Sequence, residues 1–320
     1  MTAYLAFTQR GCALAQKLRE VLGGEVSYGV PLAEWTSRAF AEERSLIFVG
    51  AVGIAVRAVA PHLKSKATDP AVVAVDELGR FAVPLVSGHL GGANALARKI
   101  AAVTGGTAVI TTATDLHGVF AVDEWARVQG LGVDDPGKIK AVSRKALAGE
   151  TVRVWSAFPI EGESPQGVAL TQGEADVWVD VMPHPGLTLI PTVLALGVGC
   201  RKGVLRETLE ARFSALGIFP AAILGVASID LKREEEGLLS FCACHGWHPV
   251  FYGAEELSAL PGEFTPSAFV EGVTGVDNVC ERAAVKLAGG PVFLPKTPGE
   301  GVTLALALGK CSLDWRWQDG

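Results

Sequence analysis

Short apolar runs alternate with amphipathic stretches along most of this chain. "AYLAF" (3–7) ends in Thr8-Gln9-Arg10-Gly11, after which Leu14, Leu18 and Val21/Leu22 recur at helical spacing up to Gly23-Gly24. That order predicts strand, loop and helix. The unit returns at "LIFV" (46–49), followed by "GAVG" and a helical face of Val52, Val56, Val59 and Ala60 that stops near Pro61. "VVAVDELGRFAVPLV" (72–86) predicts a hairpin around a Gly-containing turn. "SGHLGGAN" then opens a helix with Leu90, Ala93/Asn94, Ala97 and Ile100/Ala101 inward, and "TAVIT" (107–111) is a further strand before "TATDLHG". Residues 1–128 read as an α/β domain.

The stretch 129–190 is patterned differently, with one helix in "GLGVDDPGKIKAVSRKALAGE", strands at "TVRVW" and "ADVWVDV", and a turn-rich "FPIEGESPQG" between them. Alternation resumes over 191–320. It runs through strand "TVLALGV", loop "GCRKG", a helix with Leu205, Leu209, Phe213 and Leu216, and strand "ILGVASI" (223–229). A helix at 237–244, strand "PVFY" (249–252), helical "NVCERAAVKLA" (278–288), "PVFLPKT" (291–297) and strand "GVTLALAL" (301–308) complete it. The expected class is α/β: two α/β domains with mixed or parallel sheets, joined by a small middle α+β region.

Composition narrows the function classes. With 49% hydrophobic and 19% charged residues in 320, the chain has ample material for cores, unlike a disordered chain. Acidic residues exceed basic ones by 34 to 28, a formal charge of −6 that lacks the basic footprint nucleic-acid binding needs. The mean hydropathy of +0.33 invites a membrane reading. No run of about 18 uncharged apolar residues supports one. The N-terminus has no basic segment leading into an apolar core, so no secretory signal is expected. Six scattered cysteines do not make a disulfide framework. A cytoplasmic protein is expected.

Ligands of α/β sheets gather beyond the carboxyl ends of strands, where helix N-termini offer unpaired N–H groups. Four loops fit that position. Gly50–Gly53, with Arg57 one turn into the helix, gives a ligand access to backbone and a cation, or else is a tight turn with a surface Arg. Arg57, Lys64 and Lys66 form a local basic patch. In "SGHLGGAN" (87–94), Ser87 and His89 stand where strand meets helix, and Gly91-Gly92 occupy the first turn. Each glycine costs about 1 kcal/mol relative to Ala there, so close packing or close approach of a ligand must offset it. His89 is either an acid or base near neutral pH or a histidine satisfied by carbonyls behind a capping Ser.

"TTATDLHG" (111–118) collects Thr111, Thr112, Thr114, Asp115 and His117, a set suited to orienting a polar substrate and equally to helix capping. "GVGCRKG" (197–203) approximates a dinucleotide fingerprint with Asp230 beyond the next strand, although Arg201 and Lys202 put long cations where a pyrophosphate needs bare backbone. Cys242-x-Cys244-His245-x-x-His248 has a metal-ligand composition. Helical phasing turns its two cysteines to nearly opposite faces, so no metal site is expected.

With these loops in view, the chain resembles the cobalamin-biosynthesis G family. The resemblance lies in "FVGAVGIAVRAVAPHLKSKATDPAVVAVDELGRFAVPLVSGHLGGANALARKIA" (48–101), "AVITTATDLHGVFAVD" (108–123), "LGVGCRKG" (196–203), "ASIDLKREEEGLL" (227–239) and "LPKT" (294–297) before "GVTLALA". It runs in order through both α/β regions and only loosely through 130–190. The resemblance implies cobalt-precorrin-5A hydrolase activity. Water opens the δ-lactone of a ring-contracted cobalt tetrapyrrole, and a two-carbon fragment leaves as acetaldehyde to give cobalt-precorrin-5B. The cobalt belongs to the substrate, so no resident cofactor is expected.

Residue chemistry then suggests roles. Lactone opening needs an activated water and a stabilised oxyanion. His89 is the expected base, with Asp115 or Asp69 orienting it or the water, and N–H groups around Gly91 and Gly92 facing the oxyanion. Gly50, Gly53, Ser87, Asn94 and Thr112 are expected beside the substrate. Arg57, Lys66, Arg201, Lys202, Lys232 and Lys296 are expected to pair its carboxylates in a cleft between the domains. His117 stands where the family pattern has Asn. Two other readings stay open: an NAD(P)-dependent oxidoreductase using the 197–203 loop, and a non-catalytic carrier of a labile tetrapyrrole.

Overall fold

Strands apolar at every position need helices on both faces of their sheet, and the first unit supplies them. The computed structural model describes residues 1–42, 44–65 and 68–317, and Lys66 of the expected basic patch lies outside the described residues. The first unit runs β1 (Thr2–Ala6), α1 (Gln9–Leu22), β2 (Glu25–Tyr28), α2 (Leu32–Ala41), β3 (Ser45–Val49), α3 (Val52–Val59), β4 (Val72–Val75), β5 (Phe81–Val86), α4 (Ala93–Thr104) and β6 (Thr107–Ala108). The strand order is β2-β1-β3-β4-β5-β6. All pairs are parallel except the β4–β5 hairpin.

Period-2 alternation sorts the side chains of this sheet into two cores. Tyr4, Ala6, Ile47, Val49, Val73 and Val75 pack with Ala15 and Leu18 of α1 and with Ala93, Ala97 and Ile100 of α4. Ala3, Leu5, Leu46, Phe48, Val72 and Ala74 pack with Trp35 and Ala39 of α2 and with Ala55 and Val59 of α3. Burying each larger aliphatic or aromatic side chain contributes about 1.5–3 kcal/mol, which fixes the strand ends from which the loops project.

The middle of the chain holds α5 (Ala113–His117), α6 (Val122–Val128), β7 (Leu131–Val133), α7 (Ile139–Leu147), β8 (Val152–Ser156), β9 (Ile160–Glu161), β10 (Val168–Leu170), β11 (Val177–Val179) and β12 (Leu187–Pro191). Here the structure has more sheet than the sequence pattern indicates. Five strands in the order β10-β8-β11-β12-β7 form a mixed sheet, antiparallel only at β12–β7. Strands of three residues, as in β7, β10 and β11, are too short to display a period.

The last unit comprises β13 (Leu194–Cys200), α8 (Arg206–Ser214), β14 (Ile223–Ile229), α9 (Glu236–Cys244), β15 (Pro249–Tyr252), α10 (Ala254–Ser258), α11 (Ala268–Thr274), α12 (Cys280–Ala288), β16 (Val292–Gly299), β17 (Val302–Leu308) and β18 (Leu313–Asp314). Its sheet order is β15-β14-β13-β17-β16, parallel on the β14 side and antiparallel at β17.

One hydrophobic cluster joins the middle and last units and takes in Phe120, Val122, Trp125 and Ala126 around α6. The C-terminal segment tightens that anchorage. β18 pairs with β9, the Trp315 ring stacks on Trp125 at 5.2 Å, and Trp125 Nε1 donates to the Asp314 carbonyl at 2.7 Å. No helix among the described residues is long and apolar enough to cross a membrane.

Candidate active site

The 87–94 loop owes its shape to packing and strain. Ser87 has φ 55, in the left-handed region, and its Oγ donates to the Asp69 carbonyl at 2.6 Å. Such a conformation costs on the order of 1 kcal/mol and persists only where neighbours enforce it. A Cβ on Gly91 would overlap Ser87, and Gly92 has φ +81, so close packing and backbone conformation account for both glycines. The amides of Gly92, Ala93 and Asn94 donate to the carbonyls of His89, Ser87 and Gly88. These amides are spent within the loop, which corrects the expectation of free oxyanion donors around Gly92.

His89 is buried with both ring nitrogens engaged. Nε2 lies 2.7 Å from Asp115 Oδ2, and Nδ1 lies 3.1 Å from Asp123 Oδ1. Arg98 pairs with Asp115 Oδ1. Asn94 Nδ2 donates to Asp115 Oδ2 at 3.1 Å and to Thr112 Oγ1 at 2.8 Å. Burial alone would lower the His89 pKa, but hydrogen bonds and charge from Asp123 and Asp115 outweigh it and push the value up to about 9. For Asp115, burial pulls upward, and the bonds from His89 and Arg98 outweigh that and hold its carboxyl below the ordinary carboxylate value. His89 is therefore an imidazolium at neutral pH, donating from both nitrogens. Neither nitrogen is open to accept a proton, so His89 does not stand ready as the base expected from the sequence.

Asp69 has a different job. Its carboxylate accepts from the Lys64 and Ser65 amides at 3.1 Å, closing the loop that supports Ser87, and does not orient His89. Asp123 was not signalled by any motif. It lies in the first turn of α6 with Glu124, and both are buried. Burial raises the Glu124 carboxyl, partly offset by Arg127 at 3.0 Å. An acidic pair inside the apolar run "FAVDEWA" is the one sequence signal that could have marked this position.

An open cleft of about 560 Å³ borders this network, between the first unit and α7. Ser87, Gly88, His89, Leu90, Thr112 and Thr114 line one side, with Asp123. Lys140, Ser143, Arg144 and Leu147 line the other. Of the cations expected from sequence, none described lines this cleft. Arg57 rests on the Gly53 carbonyl of its own helix at 3.3 Å. Lys232 pairs with Glu235 at 3.1 Å, and Lys296 Nζ donates to the Thr265 and Pro266 carbonyls. Arg201 and Lys202 are exposed at the end of β13. Gly50 lies against the Phe7 ring, so a Cβ there would meet side chain and not a ligand.

The dinucleotide-like spacing dissolves in three dimensions. Gly197 and Gly199 lie inside strand β13 and not in a turn, and a Cβ on Gly197 would overlap the Cys280 carbonyl of α12. That glycine admits a helix, not a pyrophosphate, which removes the basis of the oxidoreductase reading. Cys242 is in the core with its thiol pushed by burial up to about 12. His245 binds Glu210 at 2.9 Å, and Cys244 receives Arg206 at 3.4 Å, so the Cys/His cluster is divided among separate partners.

A doubly held imidazolium thus borders a cleft between the first unit and α7 of an α/β protein. Family models described as cobalamin synthesis G N-terminal and cobalamin synthesis G C-terminus match residues 34–115 and 194–307. The chain is 33% identical to a cobalt-precorrin-5A hydrolase of Salmonella typhimurium, covering 93% of this chain and 90% of that protein. It is 30% identical to one of Priestia megaterium, covering 84% and 79%. A solved structure titled a putative cobalamin biosynthesis protein G homolog from Sulfolobus solfataricus is 20% identical over 97% of both chains, with a TM-score of 0.42. The chain belongs to the cobalamin synthesis G family.

Proposed function

We propose that the chain hydrolyses the δ-lactone of cobalt-precorrin-5A in the cleft between the 87–94 loop and α7, within cytoplasmic cobalamin synthesis. His89, charged between two carboxylates and bordering the cleft, carries this reading. Only one Asp123 oxygen faces His89. The other takes a proton from water as the water oxygen bonds to the lactone carbonyl carbon. Collapse of that adduct breaks the ring C–O bond, and the departing oxygen takes a proton from His89 Nδ1. Rotation of the protonated Asp123 carboxyl then turns its O–H toward Nδ1, and transfer of that proton across the 3.1 Å contact restores both charges. Asp115 and Arg98 hold the imidazolium from behind.

The freed alcohol next gives its proton to Asp123. The electron pair of the adjacent carbon–carbon bond passes into the conjugated macrocycle, and acetaldehyde departs. Cobalt enters as part of the substrate, and none of these steps calls on a resident cofactor. The test is incubation of the purified protein with cobalt-precorrin-5A, with the aldehyde trapped as a hydrazone and solvent oxygen traced into the new carboxylate. Binding of the lactone without aldehyde or label would favour the carrier reading and overturn this one.

A further inference from the structure

We propose that Lys140 and Arg144 of α7 clamp carboxylate side arms of the substrate, an inference that rests on the hydrolase reading of the same cleft. Four cations lie along "KIKAVSRK" (138–145), Lys138 at the N-cap and three within the helix, and the fold divides them. Lys138 is spent on Asp134 at 2.6 Å and Lys145 on Asp176 at 2.7 Å, both tying α7 to its own unit. Lys140 and Arg144 are exposed, line the cleft, and have no side-chain partner among the described residues. At i and i+4 their Cβ atoms sit about 5–6 Å apart on one face, so the pair reaches two arms of one ligand.

The charge balance of the cleft specifies what they meet. His89 and Asp123 cancel, which leaves two uncompensated positive charges at the lining of a chain with net charge −6. A second observation points to a ligand in the same place. Thr114 lines the cleft, and among the described residues its buried Oγ1 has no hydrogen-bond partner. Leu90, Ile139 and Leu147 add apolar wall. The ligand class is an extended body with apolar faces and at least two carboxylate arms. The clamp lies outside both matched stretches, 34–115 and 194–307, so the segment between them sets how the substrate is held.

The experiment compares wild type with Lys140→Gln, Arg144→Gln, the double variant, and Lys145→Gln as a charge control on the same helix. Binding of a cobalt corrin polycarboxylate and of its methyl ester is followed by tryptophan quenching, and KM and kcat are measured with cobalt-precorrin-5A. The acid binds wild type in a salt-sensitive manner and the ester at least about tenfold more weakly. Each single variant loses about tenfold in affinity and the double about a hundredfold, the ordinary size of a charge-assisted contact. KM rises in parallel, kcat changes less than about threefold, and Lys145→Gln follows wild type. A double variant that binds and turns over like wild type overturns the clamp alone. So does equal weakening by Lys145→Gln, which would mark a general charge effect. Wild type that neither binds the corrin acid nor releases acetaldehyde overturns the clamp and the hydrolase reading together.

Discussion

The 87–94 and 197–203 stretches each carry glycines near a strand end, yet only the first sets a buried histidine between two carboxylates. In the first, Gly91 lets the loop close on Ser87 while His89 meets Asp115 and Asp123. In the second, Gly197 lies within β13 beneath α12, and the amide of Gly203 is taken by Glu235 at 2.7 Å. Glycine in such a loop reports a close approach without saying of what. A histidine held between two carboxylates at the edge of a cleft separates the first loop from the packing contact of the second.

Four measurements can break or sharpen this contrast. The largest effect is expected at the first loop: His89→Ala and Asp123→Asn each lower kcat for acetaldehyde release by about 10²–10⁴-fold, the range of a lost proton-transfer group. A comparable loss in Arg201→Ala would erase the distinction between the loops. Next comes Gly197→Ala, whose Cβ has no room against the Cys280 carbonyl. Overpacking of this kind costs about 3 kcal/mol, read as a lower urea midpoint. Gly199→Ala, with its nearest neighbour 3.8 Å away, is the matched control and shifts stability by less than about 0.5 kcal/mol.

A pH series gives the third test. His89 titrates near 9 when folded and at its ordinary 6.5 when unfolded. The stability it contributes is complete below 6.5 and is lost as pH rises through about 9. The stability gap between wild type and His89→Gln narrows across that interval, and turnover that needs the imidazolium falls over its upper part. A gap that widens with pH would contradict a charged His89. Asp115 acts on the other side, losing its contribution as pH falls from the ordinary 3.8 toward its lower folded value. The smallest effect is expected for Arg57→Ala, whose guanidinium hydrogen-bonds, among the described residues, to its own helix: KM changes by less than about twofold.

The largely buried strands were legible because both faces are covered. "LIFV" lies within β3 and "ILGVASI" coincides with β14, both mostly buried, and the hairpin expected at 72–86 forms from β4 and β5. β2 was not, since it is an edge strand with a half-exposed, polar pattern. In the site, the pairing of His89 with Asp115 joins two loops that each read as strand-end chemistry. Asp123 was hidden because an acid in a helix's first turn matches the helix dipole and needs no other explanation. Lys140 and Arg144 were hidden among four similar cations, and only partners elsewhere in the fold single out Lys138 and Lys145 as paired.

Sequence alone determined the periodicities that make strands and helices, the glycines needed where backbones approach, and the family. Tertiary structure decided which charges meet. Trp125 and Asp314, 189 residues apart, fix α6 and so the position of Asp123 beside His89. Local pattern reports what one element can bury, whereas a charge network depends on separate elements arriving within about 3 Å in a medium from which water has been removed.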